Sequence, residues 1–275
     1  MKIAMHEITT RDGSFEQHLE IYAKTGWKHF EINLWKAGEF LTTHGAAKAA
    51  KKIRDLGLTC IAATGHGLSA FKGQAGRDGD CAKLKQIGEW MQELGCVPLV
   101  VGSDAPEKYN KKEHDVALTQ LAEHLTVCAE AVRSYGVTLA LEVNWAAPVR
   151  SLRSAHKVLE RTKAKNVGLV WDPAHFYSTP SRLEDLSLFA GKIVHGHLDD
   201  IRDVPIEGMD INADRVIPGQ GVLPLREWSE RVAVQGYRGW HAVELFNEAL
   251  WAKDLETICK DVRAGCLAVW PEVEF

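Results

Sequence analysis

An α/β barrel of eight strand–helix units, the (β/α)8 TIM barrel, is the fold that this sequence predicts, as one domain over residues 1–275. Three observations predict it. Short apolar runs alternate with amphipathic helical stretches along the whole chain, which means parallel strands joined by right-handed crossovers. Eight such units fit into 275 residues, close to the usual size of a closed barrel. Four of the runs, all in the second half, end in a carboxylate or an imidazole, the position from which barrel enzymes present their chemistry.

The first strand is KIAMH (2–6), followed by an amphipathic helix from Ser14 to Thr25 with Phe15, Leu19 and Tyr22 at helical spacing and Gly26 as C-terminal cap. HFEINL (29–34) precedes a helix over Gly45–Leu56, and LTCIAATGH (58–66) precedes one over Asp80–Leu94. VPLVVGS (97–103) precedes the long helix Lys112–Tyr135, and VTLALEVN (137–144) precedes Ser151–Thr162. VGLVWDP (167–173) leads to a short helix around Leu183–Phe189. KIVHGHLDD (192–200) opens into a long connection before a helix near Leu225–Val234, and GWHAVELF (239–246) with a helix over Ala249–Leu267 completes the set. The strand runs are rich in Val, Ile and Leu and too short for helices, as expected of parallel strands buried on both faces. No GxGxxG follows the first strand, which argues against a dinucleotide-binding sheet.

Composition narrows the function. The chain is 45% hydrophobic and 25% charged, the make-up of an ordinary globular protein. Its net charge is −4 with no basic run, so neither nucleic acid nor an anionic membrane is an expected partner. No window approaches the roughly eighteen continuous apolar residues of a membrane span, and MKIAMHEITT carries no signal-type stretch, so a cytoplasmic location is expected. The six cysteines lack CxxC spacing and read as reduced structural thiols. The sequence leaves homo-oligomerisation open.

The four strand-end groups are Glu142 in LALEVN, Asp172 in GLVWDPAH, His197 in IVHGHLDD and Glu244 in HAVELFN. In a closed barrel they meet at one mouth. Two carboxylates about 5 Å apart repel by roughly 3 kcal/mol at an effective dielectric near 20, so three need a counter-charge. One divalent ion, Mn, Zn, Mg or Co, held by three carboxylates and an imidazole meets that need. His195 shares a strand face with His197 but lies deeper and reads as interior packing. His175, three residues past Asp172, is either a substrate group beside the metal or a histidine on a surface turn. Asp199 either orients His197, binds substrate, or begins the next loop.

The connection from Ile201 to Gly221 has the length of a lid or binding loop. Its Arg202 and Arg215 are candidates to reach a polyhydroxylated or anionic ligand, the alternative being solvated arginines. The glycines of PGQG suit close backbone approach to a substrate or a plain turn. Trp35 and Trp145, just past strand ends, are candidates to stack on a ring, or else packing residues under loops.

LEVN, WDPAH, HGHLDD and VELF, in this order, resemble the xylose-isomerase-like barrels of sugar isomerases, epimerases and related lyases. The stretch HLDDIRDVPI…DRVIPGQGVLPL…HAVELF is most similar to the inosose-isomerase branch of that family. The resemblance holds from about Leu139 to Phe246 and extends loosely over the whole chain. It implies Glu142, Asp172, His197 and Glu244 as metal ligands, Glu142 and Glu244 also as acid/base pair, and His175 as a substrate-binding group. It further implies isomerisation or epimerisation of a keto-polyol or sugar, an inosose or ketose, through an enediolate. A dehydratase of the inosose or 3-dehydroshikimate type on the same metal site is the alternative. Ketohexose 3-epimerases of the family carry a further Glu shortly after the first metal Glu, where EVNWAAP here has Pro148. The family's apurinic endonucleases carry Asp-Arg-His in the last long loop, where this chain has Asp214-Arg215-Val216, and a Val ligates no metal.

Overall fold

The computed structural model describes residues 1–107, 109–110, 112–145 and 148–275. The unit repeats β1 (Lys2–His6), α1 (Phe15–Thr25), β2 (His29–Asn33), α2 (Leu34–His44), α3 (Ala46–Asp55), β3 (Thr59–Leu68), α4 (Gly73–Leu94), β4 (Pro98–Ser103) and α5 (His114–Arg133). It continues through β5 (Thr138–Leu141), α6 (Leu152–Arg161), β6 (Val167–Trp171), α7 (Pro173–Ser178) and β7 (Ile193–Leu198). A small hairpin of β8 (Asp200–Ile201) and β9 (Arg215–Val216) precedes α8 (Leu225–Val234), β10 (Trp240–Val243), α9 (Glu248–Trp251) and α10 (Leu255–Val269). Eight strands close the barrel in the order β1-β10-β7-β6-β5-β4-β3-β2, every pair parallel. All eight predicted strands are therefore present in the predicted order. Among the described residues no helix is long and apolar enough to cross a membrane.

Local chemistry explains the boundaries. Ser14 and Gln17 form a reciprocal capping box at the start of α1, and Gly26, at φ +82°, ends it in the left-handed conformation. Phe15, Leu19 and Tyr22 face the core as their spacing requires.

Three departures from the sequence reading have physical causes. The helix α2 was not expected, because Gly38 and the Thr42–Thr43 pair weaken its intrinsic propensity. Asn33 starts it nonetheless, accepting from the Trp35 and Lys36 amides at 3.0 and 3.3 Å, and burial of Leu34, Ala37 and Leu41 holds it. The helix α4 begins at Gly73 rather than Asp80, since Gly73, Gly76 and Gly79 disguise its first two turns. Gly76 is needed there, as a Cβ would lie 2.7 Å from the Lys72 Cβ. The expected last helix is two, α9 and α10, restarted where Asp254 caps the Thr257 amide at 2.9 Å.

At the far end of the barrel from the strand C-termini, His241 on β10 is buried, with Nδ1 donating to the Lys2 carbonyl at 3.4 Å and Nε2 without a hydrogen-bond partner among the described residues. Burial pushes its pKa down to about 3. The imidazole is thus neutral in the fold and charges only on unfolding. The stability it supports is present above the unfolded value of about 6.5 and is lost as pH falls from there toward 3. The thermal midpoint of the wild type should fall between pH 7 and pH 4, and His241→Gln should flatten that fall. Equal slopes in the two proteins would contradict the assignment.

Candidate metal centre

Glu142 and Asp172 follow the last residues of β5 and β6, His197 is next to last in β7, and Glu244 follows β10. The parallel barrel brings all four to one rim, with one ligand atom of each within 4.8 Å of the others. His197 Nδ1 is the hub, lying 3.4 Å from Glu142 Oε1, 3.7 Å from Asp172 Oδ2 and 3.4 Å from Glu244 Oε2. Two residues below, on the same strand faces, Ala140 and Val170 belong to a small apolar cluster with Val100 and Val194.

Each ligand atom is aimed by a partner behind it. His197 turns Nε2 toward Glu31 at 3.4 Å, leaving Nδ1 to face the carboxylates. Glu31 is fixed in turn by His195 Nε2 at 2.6 Å. Asp172 spends Oδ1 on the His175 amide at 2.8 Å as N-cap of α7, with Pro173 at the first helical position. Its Oδ2, like His197 Nδ1, is buried with no hydrogen-bond partner. Two unpartnered buried atoms, one anionic oxygen and one nitrogen, between two further carboxylates form a donor set that fits a divalent ion.

A cationic side chain and two more histidines complete the surroundings. Arg215, fully buried, directs Nη1 to Glu244 Oε2 at 2.7 Å and to Asp199 Oδ2 at 2.9 Å, and Nη2 to His175 Nε2 at 3.1 Å. A guanidinium only donates, so His175 Nε2 accepts and its proton sits on Nδ1. His6 Nδ1 accepts from the Ile8 amide at 3.0 Å, which places its proton on Nε2, 3.5 Å from Glu244 Oε1 and 3.7 Å from Glu31 Oε1. The electrostatics follow. Burial opposes charge on Asp172, but the positive charges of Arg215 and His197 hold its carboxyl well below the usual range. Glu244 is likewise lowered against burial by His197, His6 and Arg215, and Glu31 by His195, His197 and His6. Burial would lower His197 too, yet Glu244 and Glu31 raise it well above the usual histidine value. His6 is lowered, chiefly by burial.

The predicted residues fare differently. Glu142, Asp172, His197 and Glu244 meet, with His175, Asp199 and Arg215 against them. His175 is buried in the site rather than on a surface turn. Asp199 does not orient His197; it accepts from the Ala174 amide at 2.9 Å and pairs with Arg215. Arg202 is a correction, being half-exposed, 3.8 Å from Asp214 and on a separate cavity with Gln220, Asn247 and Lys253. It reaches no part of the metal site because β8 ends one residue earlier and turns it outward. The PGQG glycines approach a side chain of the protein, not the site. The Asp200 carboxylate accepts from the amides of Ile201, Gly219, Gly221 and Leu223, and a Cβ at Gly221 would collide with Asp200 and the Ile201 carbonyl. Trp35 and Trp145, 71% and 55% exposed, stand on the rim of a 240 Å³ cavity that Glu142, His175, Asn212, Arg215, Glu244 and Phe246 also line. Sequence reasoning missed Glu31 and His6. The signals were a carboxylate inside the apolar run HFEIN and a histidine at the end of KIAMH.

The sequence profile of the xylose isomerase-like TIM barrel matches residues 19–261. The chain belongs to that family. It is 30% identical to an inosose isomerase of Bacillus licheniformis, over 98% of this chain and 98% of that protein. With an inosose isomerase of Bacillus velezensis the identity is 29%, over 98% of this chain and 97% of the other. A crystal structure of an IolI protein with a bound zinc atom superposes with a TM-score of 0.87 at 26% identity, covering 98% of each chain.

Elemental analysis should find about one equivalent of metal at this site in the wild type and strong loss in Glu142→Gln and His197→Ala, each of which removes one donor atom. Glu31→Gln, which frees the imidazole behind His197, should weaken the metal by roughly 10- to 100-fold, the usual effect of an outer-shell partner. Undiminished occupancy in the first two variants would rule out this ligand set.

Proposed function

We propose that this chain is a divalent-metal-dependent isomerase or epimerase of a keto-polyol, an inosose or a ketose, with Glu142 and Glu244 exchanging the proton beside the ketone. The observation that carries this reading is the convergence on one ligand position of two carboxylates from barrel strands separated by β6 and β7. Glu142 Oε1 and Glu244 Oε2 both lie 3.4 Å from His197 Nδ1. The names and near-complete coverage of the two Bacillus relatives support an inosose as substrate.

Glu142, Asp172, His197 and Glu244 would hold a divalent ion, which would supply Lewis-acid polarisation of the ketone and so acidify the carbon that bears the neighbouring hydroxyl. Everything else is done by side chains. Glu244 is pinned by Arg215 at 2.7 Å, so it remains a fixed carboxylate on its face of the ring. Glu142 accepts from the Asn144 amide at 3.4 Å, approaches His197 Nδ1 at 3.4 Å and lines the cavity, which suits a carboxylate that exchanges the proton with bound substrate. The Arg215 guanidinium and the His175 imidazole point at the same volume and are placed to hold substrate oxygens as negative charge develops. A 240 Å³ cavity is small against sites for drug-sized ligands and suits a single ring, with Trp35 and Trp145 offering flat apolar faces at its rim. Asn212 of the Ile201–Gly221 connection lines the cavity, while Asp200 anchors the connection's base, so we read its tip as a cover over bound substrate.

In deuterated water, turnover of an inosose or ketose should place deuterium on the carbon next to the ketone. Glu142→Gln and Glu244→Gln should each lose roughly 10²-fold or more in kcat, the scale of lost general acid–base catalysis. Near-normal turnover in both variants would sink the mechanism, and water loss with a new enone chromophore would identify a dehydratase instead.

The two arginines of the connection should separate cleanly. Arg215→Lys keeps the charge but loses the fork and should cut kcat/KM steeply, whereas Arg202→Ala should leave it unchanged. Equal losses would place substrate elsewhere. Limited proteolysis within residues 201–221 should slow on adding saturating substrate, and an unaltered rate would count against a cover.

A further inference from the structure

A second cluster of ligating side chains lies away from the strand-end rim, where α4 and α5 pack beside β3. Asp80 and Cys81 are on α4, His124 and Cys128 are one turn apart on α5, and His66 is near the end of β3. Asp80 Oδ2 is 2.7 Å from His124 Nε2, and Cys128 Sγ is 3.4 Å from that same nitrogen. One donor atom of each of the three lies within 4.8 Å of the others, and all three residues are buried. His66 Nε2 sits 3.6 Å from the other Asp80 oxygen and has no hydrogen-bond partner. No step of the proposed reaction uses any of these groups.

We propose that Asp80, His124 and Cys128 form a second divalent-metal site, of the zinc type. The donor set is the first reason. A thiolate, an imidazole and a carboxylate favour a borderline-soft ion such as zinc, whereas the barrel mouth offers no sulfur. Spacing is the second. With Zn–N and Zn–O near 2.0 Å and Zn–S near 2.3 Å, tetrahedral donors stand about 3.3–3.6 Å apart. The His124–Cys128 separation already meets this, and His124 and Asp80 would open by roughly 0.6 Å as the hydrogen bond between them gives way to the ion. The carboxylate is already oriented, because Asp80 Oδ2 also accepts from the Ser69 amide at 2.6 Å. Access is the third. A 730 Å³ cavity open to solvent is lined by His124 and Cys81, with Arg77, Asp78 and Glu123 also on its wall, and gives an ion a route from solvent to His124. Binding there releases the Cys128 thiol proton to solvent and ties α4 to α5 through one ion.

Cobalt(II) titration of the wild type, monitored by absorbance, tests this independently of catalysis. The proposal expects two equivalents per chain, one of them with an intense sulfur-to-cobalt charge-transfer band in the near ultraviolet. The ion at the strand-end rim has no sulfur donor and gives no such band. Cys128→Ser should abolish the band and one equivalent while keeping the other equivalent and the native circular dichroism, and Cys60→Ser should change neither. One equivalent and no charge-transfer band in the wild type would overturn the proposal and leave Asp80–His124 as a hydrogen-bonded clasp on Ser69. A band that survives in Cys128→Ser would overturn it as well.

Discussion

Carboxylates that converge in a buried space must be matched by positive charge, and the upper half of this barrel is organised around that requirement. Glu142, Asp172 and Glu244 all approach one nitrogen of His197, with Asp199 and Glu31 close behind. Each like pair at about 5 Å costs roughly 3 kcal/mol at an effective dielectric near 20. A set of three is therefore tenable only with a guanidinium, an imidazolium or a metal among them. Arg215 answers part of the demand, and Glu244 and Glu31 draw His197 toward its charged form against burial, which answers another part. A divalent ion held by Glu142, Asp172, His197 and Glu244 would take over that second role.

The dependence runs outward through hydrogen bonds of fixed sense. The Ile8 amide sets the His6 tautomer, His195 fixes Glu31, and Glu31 decides which His197 nitrogen faces the rim. Arg215 arrives from the β8–β9 hairpin, which Asp200 holds by accepting from four backbone amides. The glycines of PGQG are thus needed for an anchor some distance from the reacting atoms, and the anchor is what delivers the guanidinium.

Much of this was legible in the sequence because parallel barrel strands are buried on both faces. A charged residue closing such a run is not core filler; singly each also reads as a salt-bridged strand-end group, and it is Glu142, Asp172, His197 and Glu244 taken together in register that stood out. Glu31 did not. In HFEIN the alternation of Phe30 and Ile32 with polar neighbours reads equally as a half-exposed strand with Glu31 in water, and only barrel closure makes the other face an interior. Arg215 was singled out but its burial was not, since an arginine in a long polar connection looks solvated until the hairpin folds back. Arg202 shows the converse, with the same residue type in the same loop left at the surface. The helix α2 and the first turns of α4 were hidden by glycines whose cost is met by tertiary packing, which no local pattern records.

Anomalous diffraction from crystals loaded with zinc or manganese tests the central claim most directly. The account predicts a peak at the barrel mouth about 2.0–2.2 Å from one atom each of Glu142, Asp172, His197 and Glu244, with His197 coordinating through Nδ1. Saturating metal with no peak among these four side chains, or a peak reached through His197 Nε2, would contradict it.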